Sequence, residues 1–270
     1  MAAYGAKQFG ACAEQFVALA KTTTAAKRAT ALYSAACCYA LDGKADLAFT
    51  ALDNASAAGY RDIANAENDQ DLVKLHTDPR WPKALDQIRA RVAAWEKTLT
   101  APDLRRELLE LVAADQAARF AFIEKQKTDP KADWAPVAAI DKQDTAILHR
   151  IIAKSGWPGK TMVGEDGAHA AWLLVQHADL DLPLQKDVLA RMKPLVDTGE
   201  VTAIDYAYLY DRVAVAEHRK QLYGTQFDEH QEPQPIEDEA NVDARREAIG
   251  MPSMDDYRKQ MRAMYGPPKK

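Results

Sequence analysis

His177 is the residue whose type and setting best suit chemistry. It follows Gln176 at the end of an apolar run, Ala170 to Val175, and polar side chains closing a buried helix need partners. Imidazole moves protons at neutral pH, and a carboxylate beside it tunes it for acid–base work. Asp211 is the expected carboxylate, holding one tautomer of the ring. Tyr208 stands three and four residues before Asp211 and Arg212, so all three share one side of a helix. A phenol, a carboxylate and a guanidinium on one rigid element can position and polarise a substrate. The structural alternatives are a core histidine bonded to a backbone carbonyl and a salt-bridge network joining neighbouring helices.

Further residues fit binding more than bond-breaking. Asp115 and Arg119, four apart, make an intrahelical ion pair in the simplest reading; turned inward with Gln116, they support a site. Trp157, in the rigid turn Gly156-Trp157-Pro158-Gly159, is an aromatic contact for a ligand. Tyr223 and Gln226 flank Gly224 and Thr225, and the donor and acceptor of Gln226 suit an amide. Arg245 and Arg246 clamp the acidic stretch Glu237-Asp238-Glu239 in preference to binding an anion.

No metal and no cofactor is expected. His169 and His177 lie eight residues apart on one helix and point about 80° from each other, so a metal shared with His149 is rejected. Gly159-Lys160-Thr161 lacks the upstream glycine and strand of a phosphate loop, and neither a nucleophile elbow nor an HExxH motif is present.

The elements that must position these residues read as helices throughout. Thr100 starts one before Pro102, carrying Leu104, Leu108, Leu111, Val112, Ala118 and Phe122 on its apolar side to about Lys127. A second spans 136–155, and three more span 166–179, 184–197 and 203–218. Gly199 ends the fourth and Thr202 with Asp205 caps the fifth. Residues 228–239 are acidic and Pro-containing and wrap the surface without regular structure. Tyr223 to Phe227 reads as extended, Ser253 caps a last short helix, and 266–270 is frayed.

Composition sets the bounds. The chain has 270 residues, with 40 Asp and Glu against 35 Lys and Arg, for a net charge of −5. Nucleic acid is excluded as a partner, since its binders carry a basic face. A membrane span needs roughly 20 consecutive apolar residues, and none is present. Lys7 and Glu14 break any signal-peptide core within the first 20 residues. The abrupt helical start after Ala2 and Ala3 reads as an exported chain trimmed of its signal, with a cytoplasmic origin as the alternative. Cys12 can reach Cys37 or Cys38 if the first two helices pack side by side; otherwise all three are small buried apolar residues.

Two resemblances add to this reading. Ala36, Tyr39, Gly43, Ala48, Leu52 and Ala55 resemble one tetratricopeptide repeat, within a helical layer over residues 1–99. Residues 103–250 resemble a bacterial domain-of-unknown-function family. That likeness rests on Asp115-Gln116 with Arg119, Gly156-Trp157-Pro158, Leu173 to Asp179, Ala207-Tyr208-Leu209 with Asp211-Arg212-Val213, and Tyr223-Gly224-Thr225-Gln226. It implies a helical domain with a recurrent polar signature and supplies no mechanism.

The whole is an all-α chain. A tetratricopeptide-like layer, 1–99, precedes a helical domain, 100–265, with an irregular acidic C-terminal wrap. The expected function is recognition of a peptide-like or polar small molecule in the second domain, with general acid–base chemistry at His177 as its catalytic form. The alternative is a protein–protein interaction module that binds through the repeat-like layer, around Tyr33, Tyr39 and Tyr60, with the polar motifs purely structural.

Overall fold

Alanine-rich segments with apolar residues at three- and four-residue spacing fold as helices. The computed structural model describes residues 2–265, and among these the regular structure is helical, with two isolated β-bridges and no strand. The frayed end expected at 266–270 lies outside the described residues. The chain divides into two compact units between Thr98 and Leu99.

The first unit contains α1 (Ala2–Gly5), α2 (Phe9–Thr22), α3 (Ala25–Leu41), α4 (Ala45–Ala57), α5 (Ile63–Asn68), a 3-10 turn (Gln70–Leu75) and α6 (Trp81–Glu96). Helices α2, α3 and α4 pack in sequence order. Ala36, Ala48 and Ala55 are fully buried between them, because side chains this small let helix axes approach closely. Gly43, at φ 75°, turns the chain between α3 and α4.

Tyr33 is buried, stacked on Tyr60 with ring centroids 4.1 Å apart, and its hydroxyl donates to Asp69 at 2.8 Å. Of the tyrosines around the expected recognition face, Tyr33 is committed to the interior, while Tyr39 and Tyr60 are half-buried. Cys12 is joined to Cys38 by a disulfide, and Cys37 remains a buried free thiol beside Asp69. Burial, reinforced by the Asp69 charge, pushes that thiol well above its ordinary value. The bridge closes a loop with a sequence separation of 26. Reduction, followed by chemical denaturation, is expected to lower the stability of this unit by about 3 kcal/mol.

The second unit holds α7 (Pro102–Thr128), α8 (Ala135–Ser155), α9 (Lys160–His177), α10 (Leu182–Val196), α11 (Ala203–Ala216), α12 (Val242–Ala248) and α13 (Met254–Tyr265). Helix α9 is central, packing against α7, α8, α10 and α11. Its small face permits this: a Cβ on Gly167 would lie 2.9 Å from Val163 Cβ and 3.2 Å from Arg105 Cγ. Gly164, at φ 76°, breaks α9, so the straight helix begins beyond it. Leu108, Leu148, Ile152, Leu174, Val188 and Leu209 meet in the core.

Two local expectations change. Thr100 does not cap α7; Ala101 holds the cap position and Pro102 begins the helix without needing an amide partner. Tyr223 to Phe227 forms no strand and contributes only the bridge from Phe227 to Pro233. Elsewhere the caps agree, with the Thr202 hydroxyl accepting from Asp205 N at 2.9 Å and Ser253 from Asp256 N at 3.2 Å.

Candidate functional site

A polar layer interrupts the apolar faces of α7, α8 and α9. Asp115 continues the Leu108 face of α7, while Asp141 and Asp144 lie between Val137 and Leu148 on α8. His177 ends α9. Asp115 is 1% exposed and accepts from Gln116 Nε2 at 2.7 Å and from Arg119 Nε at 3.0 Å. His177 Nδ1 lies 3.0 Å from each Asp115 oxygen. Arg119 also pairs with Asp141.

The tautomer of His177 follows from this crowding. Arg119 Nε lies 3.1 Å from His177 Nδ1, but Nδ1 cannot accept from Arg119 and donate to Asp115 at once. A bare Nδ1 would set its lone pair against an ionised carboxylate at 3.0 Å, which is repulsive. With the proton on Nδ1, both His177 and Arg119 donate to Asp115, and the crowding of two N–H donors around one carboxylate is the remaining repulsion. Nε2 is then the free basic nitrogen, makes no hydrogen bond among the described residues, and belongs to a side chain 19% exposed.

The three carboxylates differ in charge state. Burial would raise Asp115, but the His177 hydrogen bond and charge, the Gln116 bond and the Arg119 charge outweigh it and hold the carboxyl below its usual range. Burial raises Asp141 despite Arg119. Asp144 is pushed up to about 6, by burial first and then by the charges of Asp115 and Asp141. Its Oδ2 is buried without a hydrogen-bond partner.

A carboxyl whose folded pKa is raised binds its proton more tightly in the folded state. Asp144 therefore destabilises the fold above about pH 6, and the penalty fades as pH falls toward the unfolded value near 4. Asp144→Asn is expected to stabilise the protein by about 2 kcal/mol at pH 8, with no gain near pH 4. Denaturant midpoints at the two pH values check this. The sign is opposite for Asp115, whose contribution is present at neutral pH and lost as acid titrates its depressed carboxyl.

The sequence-derived candidates separate into distinct places. Asp211 is fully buried, but its partners are the backbone N–H groups of Leu222, Tyr223 and Thr225 and the Thr225 hydroxyl, at 2.7–3.1 Å. Burial raises its carboxyl against those donors. The carboxylate bonded to His177 is thus Asp115 and not Asp211, because Asp211 is consumed by the loop after α11. Tyr223 and Gln226 belong to that loop: Gln226 Nε2 donates to Thr225 Oγ1 at 3.0 Å, and the Tyr223 carbonyl accepts from Arg246.

Tyr208 meets Trp172 and Tyr257 edge-on, with centroids 6.0 and 6.4 Å apart. Arg212 donates to Gln176 Oε1 at 2.8 Å and to Asp179 at 2.6 Å, and Gln176 Nε2 is left buried without a partner. Trp157 is 6% exposed, and its indole N–H is likewise buried and unpartnered. Arg245 clamps the acidic wrap through the Glu237 and Asp238 carbonyls, at 2.6 and 3.0 Å.

Asp115, Asp141 and His177 present donor atoms within 4.8 Å of one another, as a metal would require. Arg119 bonds both carboxylates and lies against the imidazole, so the fixed positive charge among them is a guanidinium. The three histidines considered as a metal set go separate ways, His149 to Asp181 at 2.7 Å and His169 to Asp205 at 3.6 Å. Sequence reasoning missed Asp141 and Asp144. Their spacing of three on the inward face of α8 was the available signal.

The profile of a family of unknown function (DUF6624) matches residues 102–270, more than half of the chain. The chain belongs to DUF6624. The match takes in α7 to α13, and so the polar layer and the Asp211 loop together. No curated protein and no solved structure shows significant similarity to this DUF6624 chain.

Proposed function

We propose that the DUF6624 domain recognises a peptide-like or polar small molecule at the His177 layer, with His177 as general acid or base. The observation that carries this reading is the buried Asp115, bonded to both His177 Nδ1 and Arg119. It orients the ring and leaves Nε2 as the working nitrogen. Arg119 stands as the group that fixes a polar ligand, while Arg212 holds Gln176, the residue before His177. The partnerless Asp144 Oδ2 and Gln176 Nε2 support the same reading, since buried polar atoms seldom lack a partner.

The test uses N-acetyl-alanyl-alanine amide as probe and the ring signals of His177 as readout. The expected result is a saturable shift in the wild type that is absent in Arg119→Ala, with His177→Asn folded and close to wild-type stability. No ring shift, or a loss of several kcal/mol in His177→Asn, would assign the layer to the core instead.

A second reading treats the N-terminal helices as a tetratricopeptide-like layer that binds a protein partner. It draws on a groove of about 440 Å³ bordered by Phe16, Leu19 and Ala31, where Leu19 is 48% exposed. The Cys12–Cys38 bridge favours an oxidising compartment for the whole chain.

A further inference from the structure

Cys37, the free thiol of the first unit, borders a cavity of about 280 Å³ together with Tyr4, Tyr33, Asp69 and Asp71. Helix α3 carries the thiol and packs against the 3-10 turn, where Asp69 holds the cap position and Asp71 the first turn. The cap fixes Asp69, whose Oδ1 accepts from Asp71 N at 2.9 Å. Its Oδ2 lies 3.4 Å from Cys37 Sγ, across 32 residues of sequence. The sulfur and one oxygen of each carboxylate lie within 4.8 Å of one another. Cys37 is more than nine-tenths buried, while Asp69 and Asp71 are half-buried and leave an approach on their side.

No positive charge answers these two carboxylates. Among the described residues neither forms an ion pair, and their donors are neutral: the Tyr33 hydroxyl and Asp71 N–H on Asp69, and the Tyr4 hydroxyl on Asp71. Asp115, Asp141 and His177 converge as closely, but there Arg119 supplies the charge. Two carboxylates meeting at a thiol concentrate negative potential, and a cation relieves it. The phenols do not compete with a metal, because each carboxylate oxygen keeps a second lone pair. They orient the carboxylates, as outer partners do around bound metals. Sulfur selects the ion: magnesium and calcium take oxygen ligands, whereas zinc takes thiolate and carboxylate together. Sulfur and oxygen bound tetrahedrally to zinc at about 2.3 and 2.0 Å stand about 3.5 Å apart. Cys37 Sγ and Asp69 Oδ2 are already close to that separation.

We propose that Cys37, Asp69 and Asp71 bind a zinc ion, with its fourth position open to the cavity. On binding, the Cys37 S–H bond breaks, the proton passes to solvent, and the sulfur electron pair forms the Zn–S bond. No oxidation state changes. The Cys12–Cys38 disulfide takes no part and leaves Cys37 as the thiol available to a metal. The site is independent of the acid–base reading, because His177 and Asp115 do not border this cavity.

The test is a titration of the full, disulfide-intact chain with cobalt(II), followed by displacement with zinc. A thiolate-to-cobalt charge-transfer band in the near ultraviolet is expected, saturating at about one ion per chain and abolished by zinc. Cys37→Ala should lose the band and bind zinc about a hundredfold more weakly, and Asp71→Asn should bind it about tenfold more weakly. Asp71 is half-buried, so its variant keeps the test decisive even if Cys37→Ala folds poorly. Zinc should raise the melting temperature of the wild type and leave that of Cys37→Ala in place. His177→Asn should bind both metals as the wild type does. No thiolate–cobalt band, undiminished zinc affinity in Cys37→Ala or Asp71→Asn, or loss of binding in His177→Asn would each overturn the assignment.

Discussion

Replacing Asp211 by alanine is expected to destabilise the C-terminal unit by about 4 kcal/mol, one of the largest effects of any single change here. The carboxylate is fully buried and accepts from three backbone N–H groups and one hydroxyl, on residues 11 to 14 positions further along the chain. Each donor left unpaired in the interior costs about 1–3 kcal/mol. The loop those bonds shape is then pinned from its far side, where Arg246 donates to the Pro252 carbonyl at 2.6 Å and to the Tyr223 carbonyl. Gly224 completes it at φ 68°, where a Cβ would lie 2.7 Å from Met254 Sδ and 2.9 Å from Ile236 Cδ1. Asp211→Asn should retain part of the stability, since one amide oxygen still accepts while its NH₂ opposes the remaining donors. A midpoint shift in urea worth less than about 1 kcal/mol for the alanine variant would remove Asp211 from this role.

Asp115→Ala is expected to cost about 3 kcal/mol, and for a different reason. Its carboxylate is the common acceptor of His177, Arg119 and Gln116. Removing it leaves the Arg119 guanidinium with the Asp141 carboxylate and leaves the imidazole without its buried acceptor. Breaking one side of a buried ion pair is strongly destabilising because the other charge stays desolvated. The two aspartates should also differ in a second measurement. Asp115→Ala should change the ring signals of His177, and Asp211→Ala should leave them close to wild type while the unit remains folded.

The helical class was legible because amphipathic spacing and alanine content dominate local structure. Leu104, Leu108, Leu111 and Val112 mark the buried side of α7, and Ile151 and Ile152 that of α8. The ends were less legible where a cap is conformational: Gly164 breaks α9 by its positive φ, and Ala101 holds the α7 cap with no side-chain bond. Residue types drew attention to His177, Asp115 and Arg119, but spacing within one helix says nothing about which carboxylate another helix delivers. Asp211 shares a helix with Tyr208 and Arg212, yet its partners come from a loop with no periodic signal. Asp141 and Asp144 were hidden because a charged pair on an amphipathic helix ordinarily reads as solvated surface. Only the packing of α8 against α7 and α9 turns them inward.

The protonation of the His177 ring is the most direct measurement. Nitrogen-detected correlation of the neutral imidazole, in protein labelled at histidine, reports which ring nitrogen carries the hydrogen. A proton on Nδ1, held by Asp115, with a bare Nε2 facing outward is the expected result. A proton on Nε2, with Nδ1 accepting from Arg119, would make His177 a structural acceptor and contradict the acid–base site.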